Sequence, residues 1–333
     1  MKKSRPEFDL VTRRSFVAWG ALAAGGVSAQ EANIWTPKHP VRLICPFAAG
    51  GSVDVASRFV ALGLSKHLGQ TVIVDNKSGN AGNIGTETAA RAAPDGLTLV
   101  MGSSSTFGVN PSIYPNLKYD AIKDFQPVSM VSYAPNVLVA HPSVAAKTVS
   151  QLVAFAKANP GKLAYASSGH GGAPHLAAEL FKLEAGVDLL HVPYRGTGQA
   201  LADLASGQVQ LSFGTSIALM PFIKSGQVRA LAVTSPRRLA VLPEVPTMTE
   251  VGLPSVSAMS WNGLLVPAGT PKNIVVRLNQ AVVRVVESAE FTRDMAKLGA
   301  EPMAGTPEEF AAFIRREIDT WANVIKVSNI KFE

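Results

Sequence analysis

Apolar and polar positions alternate along the chain between a strand period and a helix period. The apolar run Val41 to Phe47 breaks into the small-residue loop Ala48-Ala49-Gly50-Gly51-Ser52, and a helix-period pattern then opens at Asp54. This predicts strand, glycine loop and helix. Thr71 to Val74 reads as a second strand, Ser78 to Asn83 as a turn-rich loop, and Ile84 to Ala93 as a helix stopped by Pro94-Asp95-Gly96. Leu97 to Met101 is a third strand. It runs into the hydroxyl-rich loop Gly102-Ser103-Ser104-Ser105-Thr106.

A second set begins after Pro135. Asn136 to Ala140 is strand-like, and Thr148 to Asn159 is an amphipathic helix with Leu152, Phe155 and Ala156 on one face. Strand Leu163 to Ala166 leads into Ser167-Ser168-Gly169-His170-Gly171-Gly172-Ala173-Pro174, and a helix starts around His175. Strand Leu189 to Val192, loop Tyr194 to Gly198, a helix to about Ser206 and strand Val209 to Phe213 follow. After Gly214-Thr215-Ser216 come a helix containing Met220 and Ile223 and the strand Arg229 to Thr234. The last third is helical over Ile274 to Ser288 and Pro307 to Ile325. Strands alternating with helices predict an α/β fold with a mostly parallel sheet.

Two loops of one design, one in each set, are the informative feature. The first turn of a helix has backbone N–H groups without intrahelical partners and carries the positive end of the helix dipole, so a glycine loop leading into it makes an anion site. The alternative at each loop is an ordinary β–α turn. Neither loop contains Lys or matches G-x-x-x-x-G-K-[ST] or G-x-G-x-x-G, which argues against a nucleotide phosphate. Open α/β sheets bind ligands beyond the carboxyl ends of their strands, and two such sheets facing each other would enclose a small anion. The serines and threonines suit hydrogen bonding to a carboxylate, or capping and turns. Asp54 is expected as an N-cap; its alternative is to accept a donor from the ligand or order a bridging water.

His170 and His175 are five apart with no acidic residue between them, which fits no zinc spacing, and neither metal nor cofactor is expected. A hydrolase would need G-x-S-x-G; Ser167-Ser168-Gly169 lacks the leading glycine, so a nucleophile at Ser168 with His170 is the weakest reading.

Composition narrows the compartment and the partners. With 333 residues, 47% hydrophobic and 17% charged, the chain has room for two globular domains. Residues 1–29 read as an export signal: Lys2, Lys3, Arg5, Arg13 and Arg14 precede an apolar run from Phe16 to Val27, and Val27-Ser28-Ala29 supplies a cleavage site after Ala29. Thr12-Arg13-Arg14-Ser15-Phe16-Val17 also matches the twin-arginine pattern. Without that segment the formal charge falls from +7 to 26 basic against 22 acidic residues, and no basic stripe calls for nucleic acid. Cys45 is the only cysteine, so the mature chain has no internal disulfide.

Several motifs taken together resemble the periplasmic solute receptors of tripartite tricarboxylate transporters, the Bug family. They are Pro40 to Asp54, Gly82-Asn83-Ile84-Gly85, Ala93-Pro94-Asp95-Gly96, Tyr165-Ala166-Ser167-Ser168-Gly169, His191-Val192-Pro193-Tyr194-Arg195-Gly196, Arg229 to Thr234 and Pro267-Ala268-Gly269-Thr270-Pro271. The resemblance implies a two-lobed type II periplasmic binding protein fold, a Venus flytrap. Lobe 1 would comprise residues 30–136 and 260–333, and lobe 2 residues 137–259, with crossings near 134–138 and 256–262.

It also implies a non-enzymatic receptor, acting as a monomer, that holds a small carboxylate (a di- or tricarboxylate, an amino acid or an aromatic acid) between the lobes. Its partner would be the membrane permease subunits of such a transporter, or alternatively a sensor protein. The ligand set carried over is Ala48, Ala49, Gly50, Gly51, Ser52, Asp54, Ser104, Ser105, Ser167, Ser168, Gly169, His170, Gly171, Gly172, Tyr194 and Thr215. The chain departs from the family at His170, where Asn is usual, and at Gly172 and Ala173, where Ser is frequent.

Overall fold

The computed structural model describes residues 35–194, 196–328 and 330. The expected export segment and its expected cleavage site, and Arg195, lie outside the described residues. The first stretch runs β1 (Val41–Cys45), α1 (Ser52–Leu68), β2 (Val72–Asn76), α2 (Asn83–Ala90), β3 (Thr98–Ser103), α3 (Asn110–Ile113) and β4 (Phe125–Ala140). The second runs α4 (Val149–Ala158), β5 (Ala164–Ser167), α5 (Ala173–Ala185), β6 (Leu190–Pro193), α6 (Thr197–Ala205), β7 (Leu211–Thr215), α7 (Ser216–Lys224) and β8 (Arg229–Val233). The last comprises β9 (Met259–Pro267), α8 (Lys272–Val286), α9 (Ala289–Lys297), β10 (Glu301–Pro302) and α10 (Pro307–Ser328).

The glycine-loop helices form where the pattern places them. In α1 the buried positions Val53, Ala56, Val60, Ala61, Leu64 and Leu68 recur at helical spacing, and Gly69 ends the helix in the left-handed conformation at φ 69°. Helix α9 was not expected from the sequence. Ser288 caps it by accepting from the Phe291 N–H at 3.2 Å.

The sheet is mixed rather than mostly parallel. β1 pairs parallel with β2 and β3, and β5 parallel with β6 and β7. Between these parallel flanks, β9 runs antiparallel to both β3 and the first part of β4, with β10 antiparallel to β4 as well. At Asn136 strand β4 changes partners, and its end pairs antiparallel with β7 and β8. β4 runs from one half into the other, and β9 begins beside its exchange point at Pro135; neither is part of a βαβ unit, so no parallel crossover is imposed on them.

Pro127 and Pro135 hid the length of β4 from sequence reading. The register is irregular after Pro127, and Pro135 is the last residue paired with β9 before the exchange. β9 carries Gly263, where an added Cβ would overlap the Phe310 ring.

Each half is a sheet covered on both faces. Val41, Leu43 and Cys45 pack on one side against α1 and α8, while Ile44 and Val100 pack on the other with Phe107, Trp261, Phe310 and Ile314. In the second half Leu138 and Ala140 join Tyr165, Leu176 and Phe181, and Val137 and Val139 join Ala200, Leu204 and Leu219. Successive strand residues thus feed opposite cores. Phe155, expected on the buried face of α4, is instead 42% exposed. Residues from Trp35 onward form one compact unit. Among the described residues no helix is long and apolar enough to cross a membrane.

Candidate functional site

The first glycine loop is shaped by a buried carboxylate. Gly50 sits at φ +82°, a left-handed conformation that suits glycine, and Gly51 is the N-cap of α1. Asp54 lies three residues into the helix and reaches back: its Oδ2 accepts from the Gly50 N–H at 2.9 Å and from Arg58 Nε at 2.9 Å, and its Oδ1 accepts from Asn76 Nδ2 at 2.9 Å. Burial works against the charge, but the hydrogen bonds from Arg58, Gly50 and Asn76 outweigh it and hold the carboxyl below its usual pKa. Asp54 is therefore not the N-cap. With both oxygens engaged and the side chain buried, it shapes the loop from behind.

The second loop is held by imidazoles. Gly169, Gly171 and Gly172 all have positive φ, at 125°, 79° and 89°. The Gly171 N–H donates to His175 Nδ1 at 2.9 Å, and Ser167 Oγ lies 2.6 Å from His191 Nε2. His175 and His191 stack with ring centroids 4.1 Å apart, His191 stacks on Tyr165 at 4.7 Å, and His170 stands edge-on to His191 at 5.1 Å. Burial, then the neighbouring imidazoles, push His175 down to about 2 and His191 down to about 4, so both are neutral at neutral pH. A Ser168–His170 hydrolase finds no support, since His170 Nδ1 is buried without a hydrogen-bond partner. The Ser167–His191 pair is no better, because an imidazole with so low a pKa is a poor general base near neutrality.

A cavity opens between the two loops. Its volume is about 50 Å³, room for a few waters. From the first half come Phe47, Gly51, Ser52, Val53 and Ser103 to Ser105; from the second come Ser167, Ser168, Pro174, Thr197 and Ser212 to Thr215; strand β9 adds Ser260, Trp261 and Asn262. The N-terminal residues of four helices meet here: Ser52 of α1, Pro174 of α5, Thr197 of α6 and the cap Thr215 of α7. No charged side chain is among the described lining residues. The Thr215 hydroxyl is buried without a hydrogen-bond partner.

The model of the tripartite tricarboxylate transporter family receptor matches residues 56–330. The chain belongs to this receptor family. Relatives agree over nearly the whole length: protein BugT of Bordetella pertussis is 38% identical over 313 residues, covering 94% of this chain and 96% of that protein. The solved structure of Rhodopseudomonas palustris Rpa4515 with adipate superposes with a TM-score of 0.86 at 36% identity, covering 89% of this chain and 99% of that one. MatC from the same organism, with bound malate, superposes with a TM-score of 0.83 at 32% identity, covering 87% and 99%. The family consists of substrate-binding receptors, not enzymes, and its members are periplasmic binding proteins.

Of the residues expected at a ligand, Gly51, Ser52, Ser104, Ser105, Ser167, Ser168 and Thr215 line the cavity. Ala48, Ala49, Gly50, Asp54, Gly169, His170, Gly171, Gly172 and Tyr194 are not among its described lining residues. Ala48 and Ala49 instead press on the other half: a Cβ on Gly196 would lie 2.6 Å from Ala48 Cβ, and one on Gly198 would lie 3.2 Å from the Ala49 carbonyl. The Gly50 and Gly171 amides donate to Asp54 and His175 of the helices that follow, and the Gly169 amide to Ser167 Oγ. The Tyr194 hydroxyl donates to Asp203 at 2.7 Å, and burial followed by that contact pushes it up to about 12.

Trp261 and Asn262 were missed because β9 was. The signal available was an aromatic next to Asn and Gly in an otherwise apolar run. Trp261 is fixed by donating to Glu317 Oε2 at 2.8 Å.

Proposed function

We propose that the receptor captures a small carboxylate in the cavity between its two halves and delivers it to the membrane permease of a tripartite tricarboxylate-type transporter. The observation that carries this reading is the meeting of four helix N-termini around a cavity with no charged side chain among its described lining residues. Each terminus contributes a partial positive charge, so an anion is attracted without a cationic side chain. The serine hydroxyls and Thr215 supply neutral donors.

The same lining discriminates among carboxylates. An amino acid needs a counter-charge for its ammonium group, and Asp54, the acidic residue nearest the loop, has both oxygens occupied. A third carboxylate would lack a partner in so narrow a space. We therefore favour a short dicarboxylate or hydroxy acid; adipate and malate, bound in the two related structures, are of the first class.

The two halves are the lobes, and β4 and β9 are the hinge strands where they cross. A buried polar node sits there: the Asn136 N–H donates to Thr234 Oγ1 at 2.9 Å, and Asn136 Nδ2 donates to the Ala258 carbonyl at 2.8 Å. In this reading the mature chain starts near Gln30 in the periplasm. Calorimetric titration with C3 to C6 mono- and dicarboxylates and with amino acids tests the assignment. Saturable binding of a dicarboxylate or hydroxy acid is expected, and tight binding of an amino acid alone contradicts it.

A further inference from the structure

Three glycines with positive φ within four residues leave the Ser167–Gly172 loop with many accessible conformations, so something outside its own backbone must select one. Three contacts do so. His191 Nε2 meets Ser167 Oγ, whose hydrogen goes to the Gly169 carbonyl at 2.9 Å, leaving the imidazole as donor. His175 Nδ1 accepts the Gly171 N–H, which places that ring's hydrogen on Nε2. From the other half, the Tyr114 hydroxyl donates to the His170 carbonyl at 2.9 Å.

We propose that His175 and His191 are positioning residues of the binding site: two neutral, stacked imidazoles that hold the Ser167–Gly172 loop in the one shape that receives an anion. The proposal rests on the reading of the cavity as a carboxylate site. The chemistry requires neutrality, since a hydrogen on His175 Nδ1 would face the Gly171 N–H and remove the acceptor. The surroundings maintain it. Glu179, the carboxylate nearest His175 Nε2 at 3.9 Å, is engaged by the Tyr165 hydroxyl at 2.5 Å and by Lys182 at 3.0 Å, and Lys182 also lies 6.0 Å from the Tyr165 ring centre. Among the described residues the side chains of His170, Tyr165, Glu179 and Lys182 face the pair, and burial disfavours the charged form of each ring.

The test separates ring from acceptor. His175→Phe keeps a flat ring and loses Nδ1, whereas His175→Asn places an amide oxygen near the Nδ1 position; His191→Phe and His191→Gln form the matching pair. Amide hydrogen exchange at Gly171 in the ligand-free protein, and calorimetry with malate and adipate as probes, are read beside the thermal midpoint. In His175→Phe, Gly171 protection and probe affinity each fall about tenfold or more, the equivalent of about 1.4 kcal/mol; His175→Asn restores both to within about threefold. His191→Gln likewise exceeds His191→Phe in affinity. Unchanged Gly171 protection in His175→Phe overturns the proposal, as do equal affinity losses in the Phe and Asn variants that follow the thermal midpoint alone. A wild-type protein with the expected Gly171 protection that binds no carboxylate probe refutes the carboxylate reading and leaves the fastening of the loop standing.

Discussion

The two glycine loops share one plan and are fastened by opposite chemistry. The loop before α1 is held by a charge: Asp54 gathers the Gly50 amide, Arg58 and Asn76. The loop before α5 is held by neutral rings, His175 on Gly171 and His191 on Ser167. In both, the group that shapes the loop stands outside the cavity, and the cavity wall itself is free of described charges. A negative ligand can then be attracted by fixed backbone dipoles. Among the described lining residues it would meet no carboxylate and no cation, and dipoles already oriented need not reorganise when it arrives.

Removing the charged fastener is expected to have the largest effect. Asp54→Ala strips charge-assisted hydrogen bonds from the Gly50 amide and from Asn76 and leaves a cavity at a buried side chain, and should cost on the order of 3 kcal/mol in chemical denaturation. A change below about 0.5 kcal/mol, the range of ordinary surface substitutions, would show that the loop holds its shape without the carboxylate.

Bulk at the glycines comes next. A Cβ on Gly51 would lie 3.0 Å from Thr197 Oγ1 across the cleft, and one on Gly171 would overlap Ile113 Cδ1 while the backbone is held at φ +79°. Gly51→Val and Gly171→Val should each weaken ligand binding by roughly 10- to 100-fold, the equivalent of 1–3 kcal/mol of overpacking. Unaltered affinity in both would displace the site from these loops.

The two fasteners also respond differently to acid. The folded protein holds His175 and His191 far below the ordinary histidine value near 6.5, so from pH 6.5 down toward 4 the unfolded chain takes up protons that the folded chain refuses. Stability is full above pH 6.5 and falls with the pH by up to about 1.4 kcal/mol per unit for each ring, less for half-buried His191. Asp54 adds its own loss only at lower pH, as the medium falls through its depressed pKa. Urea unfolding from pH 7 to 4 checks this: the slope should flatten in a His175→Phe, His191→Phe double variant, and an unchanged slope would contradict neutral rings. The smallest expected effect is at Thr215. Thr215→Val should cost about 1 kcal/mol in ligand affinity, measured by calorimetry, if the unpartnered hydroxyl meets the ligand.

Short-range features were legible in the sequence and long-range ones were not. Glycine loops, strand starts and helix phases are local, so the two loops that bring Gly51, Ser52, Ser167 and Ser168 to the cavity could be placed from the order of residues alone. What failed depended on partners distant in the chain. The role of Asp54 turned on Asn76, 22 residues away, and that of His191 on Ser167, 24 residues away. Strand β4 looked broken because Pro127 and Pro135 usually end strands, yet both pair with β9, whose register with β4 shifts after Pro127. His175 belonged to no motif, and the motif that opens at His191 gave no sign of its role, since a stacked pair of neutral rings is a product of the fold.

The most direct test of the account is mass spectrometry of small molecules released on denaturing the purified protein. The account predicts a carboxylic acid without an amino group, near one equivalent from the wild type and lost from Gly51→Val and Gly171→Val. Release of a compound lacking a carboxyl group, or undiminished retention by both glycine variants, would contradict it.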